Sequence, residues 1–290
     1  MLWSTLTGRL EQSERLDGAV DAVTSAVDTV LPRGPVKDAL HGRWLGHQLH
    51  PLLVALPIGM FTSASLLDLT RGDTDAARRL VGAGVLAVAP TAAAGLADWS
   101  ELGAFRRPRR VGLAHAGANA VTGLLYGASW LARRAGNHTA GRNLALAGSL
   151  GLAVGGYLGG HLSYAQGVGV NRNADQDRQP HDWTDVAAAS EVAEGQPHRV
   201  EVDGEPVLLV RSAGTLHAIG ARCSHYGGPL DEGEIEGTGA GTGEACVVCP
   251  WHGSRFRLSD GSVAQGPATV PQMSYDVRTV GDRVEVRAAA

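Results

Sequence analysis

The chain has 290 residues, a formal net charge of −4 and 19% charged residues, against roughly 25% in a typical soluble protein. This mildly acidic balance gives no electrostatic reason for binding nucleic acid or another polyanion. Three cysteines are too few for a disulfide framework, which excludes a stapled secreted scaffold. The length leaves room for two domains of ordinary size.

Residues 1–46 are predicted to form an amphipathic helical region. The segment lacks a basic start followed by an apolar core, so we expect no cleavable signal peptide. Its aspartates lie off the apolar face, which favours packing on other helices over binding to a membrane surface. The apolar positions recur at three- and four-residue spacing and are Leu16, Ala19, Val20, Val23, Val27, Val30 and Leu31.

Residues 47–166 contain apolar segments that we predict to be four transmembrane helices. Each segment is close to the ~20 residues that cross a bilayer, and none shows the charged face of a soluble helix. Gly151 with Gly155, and Gly156 with Gly160, have the spacing that lets membrane helices approach closely. A soluble four-helix bundle is the alternative. The segments cover residues 51–69, 80–97, 111–132 and 144–165.

The last part of the chain is polar and rich in turns. Residues 167–182 are predicted to be a linker, and residues 183–290 a small antiparallel β domain with hairpin turns at Ala213-Gly214 and Gly281-Asp282. The predicted fold class is therefore multi-domain, with an all-α transmembrane four-helix bundle followed by a small antiparallel all-β domain.

Two short motifs in the β domain are candidates for metal binding. Cys223 precedes His225 in "CSHYGGPL", and Cys249 precedes His252 in "CPWHGSRF". Two thiolates and two imidazoles suit zinc, although structural zinc sites prefer pairs of like ligands. A mixed pair in each of two loops better suits a two-iron cluster, with cysteines on one iron and histidines on the other.

These motifs resemble the two cluster loops of the Rieske family, and "GSVAQGPAT" resembles the proline loop that covers the cluster. The resemblance spans about 183–287. It implies one [2Fe-2S] cluster, with Cys223 and Cys249 on one iron and His225 and His252 on the other. It also implies cofactor contacts from the covering loop at Pro267, and from Ser254 as a hydrogen-bond donor toward sulfur. A [2Fe-2S] cluster accepts and donates single electrons, so electron transfer is the main expected role.

The sequence departs from the high-potential members of that family. Gly228 and Trp251 occupy the positions of a disulfide that clasps the two loops, so Cys246 is left as a small buried apolar residue. Phe256 replaces a tyrosine that donates a hydrogen bond, which predicts a lower reduction potential. An unclasped cluster also fits a reducing compartment.

We expect a one-electron carrier that serves a redox partner protein. Rieske oxygenases carry a further domain with a 2-His-1-carboxylate iron, and too few residues follow Arg287 for one. The chain is thus expected to be a component of an oxidoreductase system without its own catalytic residues. The alternative hypothesis is an Fe-S redox sensor, or a regulatory or assembly module, in which the cluster undergoes no turnover.

Four histidines and Asp98 each fall at a helix end on the same side of the predicted bundle. We therefore predict that the four histidines lie at one membrane face. Histidines at membrane depth suggest a site for haem b, a quinone or a metal, while interfacial histidines that only bond the backbone are the alternative. Another two histidines, His41 and His138, are expected at the surface. The four are His47, His50, His115 and His161.

The helical segment also resembles a family of uncharacterised four-helix membrane domains that precede Rieske domains. "LGHQLHPLLVALPIGM", "GLADW" and "GGYLGGHL" carry the resemblance, over about 41–170. It implies a multi-pass protein of the cell membrane. Basic residues are only slightly more frequent at the histidine face, so the positive-inside rule favours a cytoplasmic β domain by a small margin.

Overall fold

The computed structural model describes residues 2–175, 180–237 and 244–289, in two compact units. The first unit comprises the chain up to Leu40 together with Gln48–Val168, and it is helical. The second comprises His41–His47 and the chain from Gly169 onward, and it consists mainly of strands. The predicted fold class, helices followed by an antiparallel β domain, is confirmed.

Helices form over all four apolar segments, and shorter helices precede them. Two of the long helices begin before their apolar segments because a polar side chain caps them: Asp73 accepts the N–H of Ala76 at 3.1 Å, and Asn137 accepts that of Ala140 at 3.0 Å. The helices are α1 Leu2–Gln12, α2 Asp17–Val30, α3 Pro35–His41, α4 His50–Leu69, α5 Thr74–Ser100, α6 Arg106–Arg134 and α7 His138–Gly160, which a π-helical turn, His161–Ala165, extends.

The core of the helical unit is built around two stacked aromatic rings. Phe61 on α4 and Tyr126 on α6 lie 3.8 Å apart with nearly parallel planes, and both are almost completely buried. Glycines make room for them: a Cβ on Gly84 would lie 2.4 Å from the Phe61 ring, and one on Gly148 would lie 2.8 Å from the Tyr126 ring. Any larger residue at these glycines would displace the rings.

One of the two predicted glycine pairs lies at a close helix contact. A Cβ on Gly151 would come within 2.3 Å of the Thr122 hydroxyl, and one on Gly155 within 2.4 Å of the Asn119 amide oxygen, so α6 and α7 meet at these glycines. Gly156, in the other pair, has nothing within 4 Å of an added Cβ. That pair does not form a close contact.

The acidic face of α2 packs on the basic start of α6. Asp17 receives two hydrogen bonds of 2.7 Å from the Arg110 guanidinium, and Asp21 pairs with Arg106 at 2.7 Å. Hydrogen bonding to Arg110 holds the pKa of the Asp17 carboxyl below its ordinary value. The α2 helix therefore packs on another helix of its own unit, as its acidic face suggested.

Two helices of the described residues, α4 and α5, are long and apolar enough to cross a membrane, each with a mean hydropathy of 1.8 over its most apolar window. All four long helices nevertheless keep large apolar side chains at the surface. Leu66 on α4 is 61% exposed, Leu86 on α5 78%, Leu124 on α6 74% and Leu150 on α7 73%. The helical unit thus presents an apolar exterior on each of these helices.

The second unit contains two antiparallel sheets. The larger has strand order β1-β10-β9-β4-β3-β2 and the smaller β5-β6-β7-β8. Both predicted hairpins form: Ser212 pairs with Thr215 across Ala213-Gly214, and Val280 with Arg283 across Gly281-Asp282. The strands are β1 Thr184–Ala188, β2 Pro197–Val202, β3 Glu205–Ser212, β4 Thr215–Gly220, β5 Glu234–Glu236, β6 Cys246–Val248, β7 Arg255–Arg257, β8 Val263–Gln265, β9 Ser274–Val280 and β10 Arg283–Ala288.

A buried cluster supports the two loops that carry the metal motifs. Val247 and Phe256, which pair across β6 and β7, are both fully buried, and they pack with Leu208 of the larger sheet. Cys223 and Cys249 belong to the same cluster. Apolar packing from both sheets thus fixes the backbone on which the two cysteines lie.

Candidate metal centre

Two loops of similar backbone geometry carry the four predicted ligands. In the first, the N–H of Gly227 donates to the Cys223 carbonyl at 2.8 Å; in the second, the N–H of Gly253 donates to the Cys249 carbonyl at 2.9 Å. Both glycines have positive φ, 76° and 70°, which lets each loop turn back sharply. The two loops therefore present their cysteines in matching conformations.

The two cysteine sulfurs lie within hydrogen-bond distance of each other. The thiol of Cys223 donates to Cys249, which lowers the pKa of Cys249 to about 6 and raises that of Cys223 well above its usual value. The backbone N–H groups of His225 and Tyr226 hydrogen-bond to the first sulfur, and those of Trp251 and His252 to the second. Such N–H groups stabilise thiolates, which is the form that binds iron.

The two histidines of the motifs form a second close pair. The rings of His225 and His252 lie 5.0 Å apart at 89°, and Tyr226 packs against both, with centroids 5.0 Å and 5.8 Å away. The side chains are only 8% and 6% exposed, and their Nδ1 atoms are shielded from solvent. Both imidazoles are therefore buried in this structure.

The donor set suits a [2Fe-2S] cluster. Within the described ranges, no three side chains among His, Cys, Asp and Glu converge on a single point as they would around one metal ion. The site instead offers a sulfur pair and an imidazole pair, and a cluster of this type takes two cysteines on one iron and two histidines on the other. The four predicted ligands are thus brought together in two pairs.

Ser254 lies in the second motif loop, where its carbonyl accepts the N–H of Cys249 at 2.8 Å. The Ser254 hydroxyl is fully buried and accepts the backbone N–H of Ala268 at 3.0 Å. That bond joins the second motif loop to the segment that contains Pro267. Because the hydroxyl oxygen accepts from Ala268, its own proton is left to donate elsewhere.

Gly228 and Trp251, which stand at the positions of the family disulfide, pack against each other. A Cβ on Gly228 would lie 2.9 Å from the Cys249 sulfur and 3.1 Å from the Trp251 ring, so the indole covers the glycine. Cys246 is buried, and burial raises the pKa of its thiol. Its sulfur lies 3.6 Å from the Glu244 carbonyl oxygen, which agrees with a small buried residue outside the ligand set.

The segment predicted as a linker is partly bonded to the first motif loop. The N–H of Arg172 donates to the Ser224 carbonyl at 2.9 Å, and the Asn173 amide donates to the Arg222 carbonyl at 2.7 Å. The Arg172 guanidinium lies over the Tyr226 ring, 5.1 Å from its centroid. Residues 176–179 of this predicted linker lie outside the described residues.

The structure brings together His50 and His115, two of the four histidines predicted at the membrane face. His50 and His115 lie 6.5 Å apart at 85°. His161 instead pairs with Glu11 of α1, at 2.8 Å from Nε2 to the carboxylate, and His47 belongs to the second unit. His138 is exposed as expected, whereas His41, expected at the surface, is only 2% exposed.

Several residues of interest had no sequence signal strong enough to single them out. Asn119 follows His115 by one helical turn, and its amide nitrogen lies 3.0 Å from the His115 Nε2 atom. The i, i+4 spacing of two polar residues in an apolar helix was the available signal. Arg172 and Glu11 are paired with groups far away in sequence, which spacing does not reveal.

A protein built this way is an iron–sulfur protein of the Rieske class joined to a helical membrane-type unit. Residues 182–279 match the Rieske [2Fe-2S] domain, and residues 46–172 match the family described as Predicted membrane protein (DUF2231). The chain belongs to the Rieske [2Fe-2S] domain family, with a domain of that second family ahead of it. It carries a [2Fe-2S] cluster.

Two curated relatives match 33% and 38% of this chain. The 3-phenylpropionate/cinnamic acid dioxygenase ferredoxin subunit of Shigella boydii serotype 4 (strain Sb227) is 34% identical over 96 residues, 33% of this chain and 83% of the relative. Human apoptosis-inducing factor 3 is 33% identical over 112 residues, which are 38% of this chain and 17% of that protein. The chain thus corresponds to about a sixth of that relative.

Among solved structures, the ferredoxin of carbazole 1,9a-dioxygenase from Nocardioides aromaticivorans IC177 is 29% identical and has a TM-score of 0.34. The match covers 37% of this chain and 98% of the ferredoxin. One relative is a ferredoxin subunit of a dioxygenase and another is the iron–sulfur subunit of a cytochrome b6-f complex, and the [2Fe-2S] domain that they share with this chain is of an electron-transfer type.

Proposed function

We propose that the chain is a membrane-anchored one-electron carrier. Cys223 and Cys249 hold one iron of its cluster, and His225 and His252 hold the other. The observation that supports this ligand set is the pairing of two sulfurs and two imidazoles in loops of matching hydrogen-bond pattern. When bound, the cluster supplies reversible one-electron chemistry.

The residues around the centre adjust its potential and its access. Backbone N–H groups at both sulfurs stabilise added negative charge, and the buried Ser254 hydroxyl has a proton to donate in the same region. Phe256 lacks the hydroxyl that a tyrosine would contribute. We infer a potential below that of Rieske proteins that have this tyrosine.

Trp251 is the proposed contact for the redox partner. Its side chain is 49% exposed, and its ring lies 6.5 Å from that of His252. An exposed aromatic residue next to a ligand histidine suits transient docking, because tryptophan buries much area in a small interface. The partner is an oxidoreductase, a quinone or a haem of the membrane.

The helical unit is the proposed anchor, with α4 to α7 crossing the cell membrane. Support comes from the exposed leucines on each of these helices, since a soluble bundle would cover or replace them with charged residues. We further propose that the β unit faces the cytoplasm. Fusion of green fluorescent protein or alkaline phosphatase after Ala289 tests this: fluorescence without phosphatase activity is expected, and the reverse would contradict it.

Iron analysis and electron paramagnetic resonance of the purified full-length protein test the centre itself. Two irons per chain and a Rieske signal on reduction are expected. His252→Cys should lower the potential sharply or lose the cluster, while His181→Cys, at an exposed histidine of the same unit, should change neither. An unchanged potential in His252→Cys would remove His252 from the ligand set.

Electron-exchange kinetics separate a carrier from a sensor. Rapid, reversible exchange between the reduced cluster and an added redox protein or mediator is expected. A cluster that exchanges slowly and is destroyed by oxygen would contradict the carrier role and favour a sensor or assembly module.

A further inference from the structure

The helical unit encloses a cavity that the cluster chemistry does not use. Its volume is about 270 Å³, near the lower end of small-molecule sites, which run from about 300 to 1,000 Å³. Apolar side chains form most of the wall, and within the described residues no Asp, Glu, Lys or Arg lines it. The cavity therefore suits a neutral, apolar ligand of one substituted ring. Its walls include Val54, Ile58, Phe61, Val88 and Leu152.

Two histidines lie in this lining, and backbone carbonyls fix their tautomers. The His50 Nδ1 atom is 2.9 Å from the Thr91 carbonyl oxygen, and the His115 Nδ1 atom is 2.9 Å from the Gly155 carbonyl oxygen. A carbonyl can only accept, so Nδ1 carries the proton in both rings. In the neutral tautomer that these bonds select, each Nε2 is an acceptor.

The two rings differ in what lies beside them. The Asn119 amide nitrogen is 3.0 Å from Nε2 and 3.4 Å from Nδ1 of His115, so it lies over the face of that ring. No described residue donates to the His50 Nε2 atom. The lining threonines have also used their protons: Thr91 donates to the Ala87 carbonyl at 2.7 Å. Thr122 donates to its own helix in the same way. His50 and these hydroxyls thus present lone pairs toward a ligand.

We propose that this cavity binds a hydroquinone of the membrane, through a ligand O–H donated to the His50 Nε2 atom. A neutral aromatic diol has the apolar ring that the walls suit and the hydrogen-bond donor that His50 lacks. The oxidised quinone has no O–H to donate to the His50 Nε2 atom, so this hydrogen bond favours the reduced form. The choice of a redox-active ring rests on the proposed electron-transfer function; the binding of a neutral hydroxylated ring does not.

Haem fits the same lining poorly. A tetrapyrrole is several times larger than the single ring that 270 Å³ admits. The volume therefore favours the smaller ligand.

Binding of trimethylhydroquinone and of its dimethyl ether to the full-length protein in nanodiscs tests this proposal. Isothermal titration is done anaerobically with the cluster already reduced, so that no electron transfer accompanies binding. We expect the diol to bind at least tenfold more tightly than the ether. His50→Leu should abolish that preference. Equal affinities for the diol and the ether in the unmodified protein would overturn the proposal, as would a haem Soret band in the purified protein.

A matched pair of glycine variants controls for indirect effects. Gly156 lines the cavity and Gly117 does not, yet an added Cβ meets nothing within 4 Å at either position. Gly156→Leu should weaken diol binding at least tenfold and Gly117→Leu should leave it unchanged. Equal effects of the two variants would contradict binding of the diol in this cavity. Iron content measured on the same samples separates this outcome from failure of the cluster.

Discussion

The chain contains two histidine pairs, one in each unit, with similar ring geometry and different chemistry. His225 and His252 lie 5.0 Å apart at 89°, and His50 and His115 lie 6.5 Å apart at 85°. In the helical pair, backbone carbonyls fix the tautomer of each ring. In the β unit, the pair lies in loops whose two cysteine sulfurs are hydrogen-bonded together.

The surroundings therefore decide what a pair of imidazoles can do. Beside two buried thiols the rings complete the proposed ligand set for iron, while in an apolar cavity they offer hydrogen-bond acceptors to the proposed neutral ligand. Ring proximity alone does not identify a metal site. Each of the following predictions tests one side of this comparison.

The largest effect is expected from removal of one sulfur. Cys249→Ala should reduce the iron content from two per chain to none and abolish the Rieske signal, because no other described residue replaces the thiolate. Cys246→Ala is the matched control, since its buried thiol is hydrogen-bonded to a carbonyl outside the ligand set. Iron analysis measures both variants. A full cluster content in Cys249→Ala would contradict the assignment of Cys249 as a cluster ligand.

A buried ion pair of the helical unit should give the next largest effect. Asp68 and Arg133 are joined by two hydrogen bonds, one of 3.0 Å, and their side chains are 5% and 1% exposed. Asp68→Asn leaves the guanidinium buried and uncompensated, which should lower the free energy of unfolding by about 3–5 kcal/mol.

Denaturant unfolding in detergent, followed by circular dichroism, measures this loss. Asp75→Asn, at an exposed pair with Arg78, is the control and should have a much smaller effect. Equal losses in the two variants would show that burial does not determine the contribution of the Asp68–Arg133 pair.

A smaller change is expected when a hydrogen bond near the cluster is lost. Ser254→Ala removes the proton that this hydroxyl can donate, so the reduced cluster loses a stabilising interaction of about 0.5–1.5 kcal/mol. The potential should fall by roughly 20–65 mV for a one-electron couple. Protein-film voltammetry measures this shift, with Ser212→Ala, at a buried serine of β3, as the control. A potential that rises or stays constant in Ser254→Ala would contradict the predicted donor.

The smallest effect on the cluster is expected from the helical histidines. His50→Gln and His115→Gln should leave iron content and potential unchanged within experimental error, because neither ring belongs to the proposed ligand set. Loss of iron in either variant would show that the two histidine pairs are not independent. The potential of both variants is measured under the same conditions as for Ser254→Ala.

The sequence predicts most of the β unit because its signals are local. A cysteine and a histidine two or three residues apart, closed by a glycine of positive φ, define each loop, and the turns at Ala213-Gly214 and Gly281-Asp282 define two hairpins. Apolar length likewise predicts the four long helices. These features depend on neighbouring residues, which the sequence displays directly.

The remaining features depend on contacts between distant residues. The pairing of His161 with Glu11 joins positions 150 residues apart, so spacing could not distinguish it from a histidine of the cavity. The burial of His225 and His252 follows from ring packing around Tyr226. The tautomers of His50 and His115 depend on which carbonyl each ring meets, and hydropathy does not encode that.

The ion pairs between α2 and α6 impose an order on biosynthesis. Asp21 leaves the ribosome 85 residues before Arg106, and Asp17 leaves it 93 residues before Arg110, with α4 and α5 made between them. At about 5–20 residues per second, the acidic helix waits on the order of 4–19 s for its basic partner. Helices α4 and α5 are therefore complete before these salt bridges can form, and the N-terminal region docks only once the third long helix has begun.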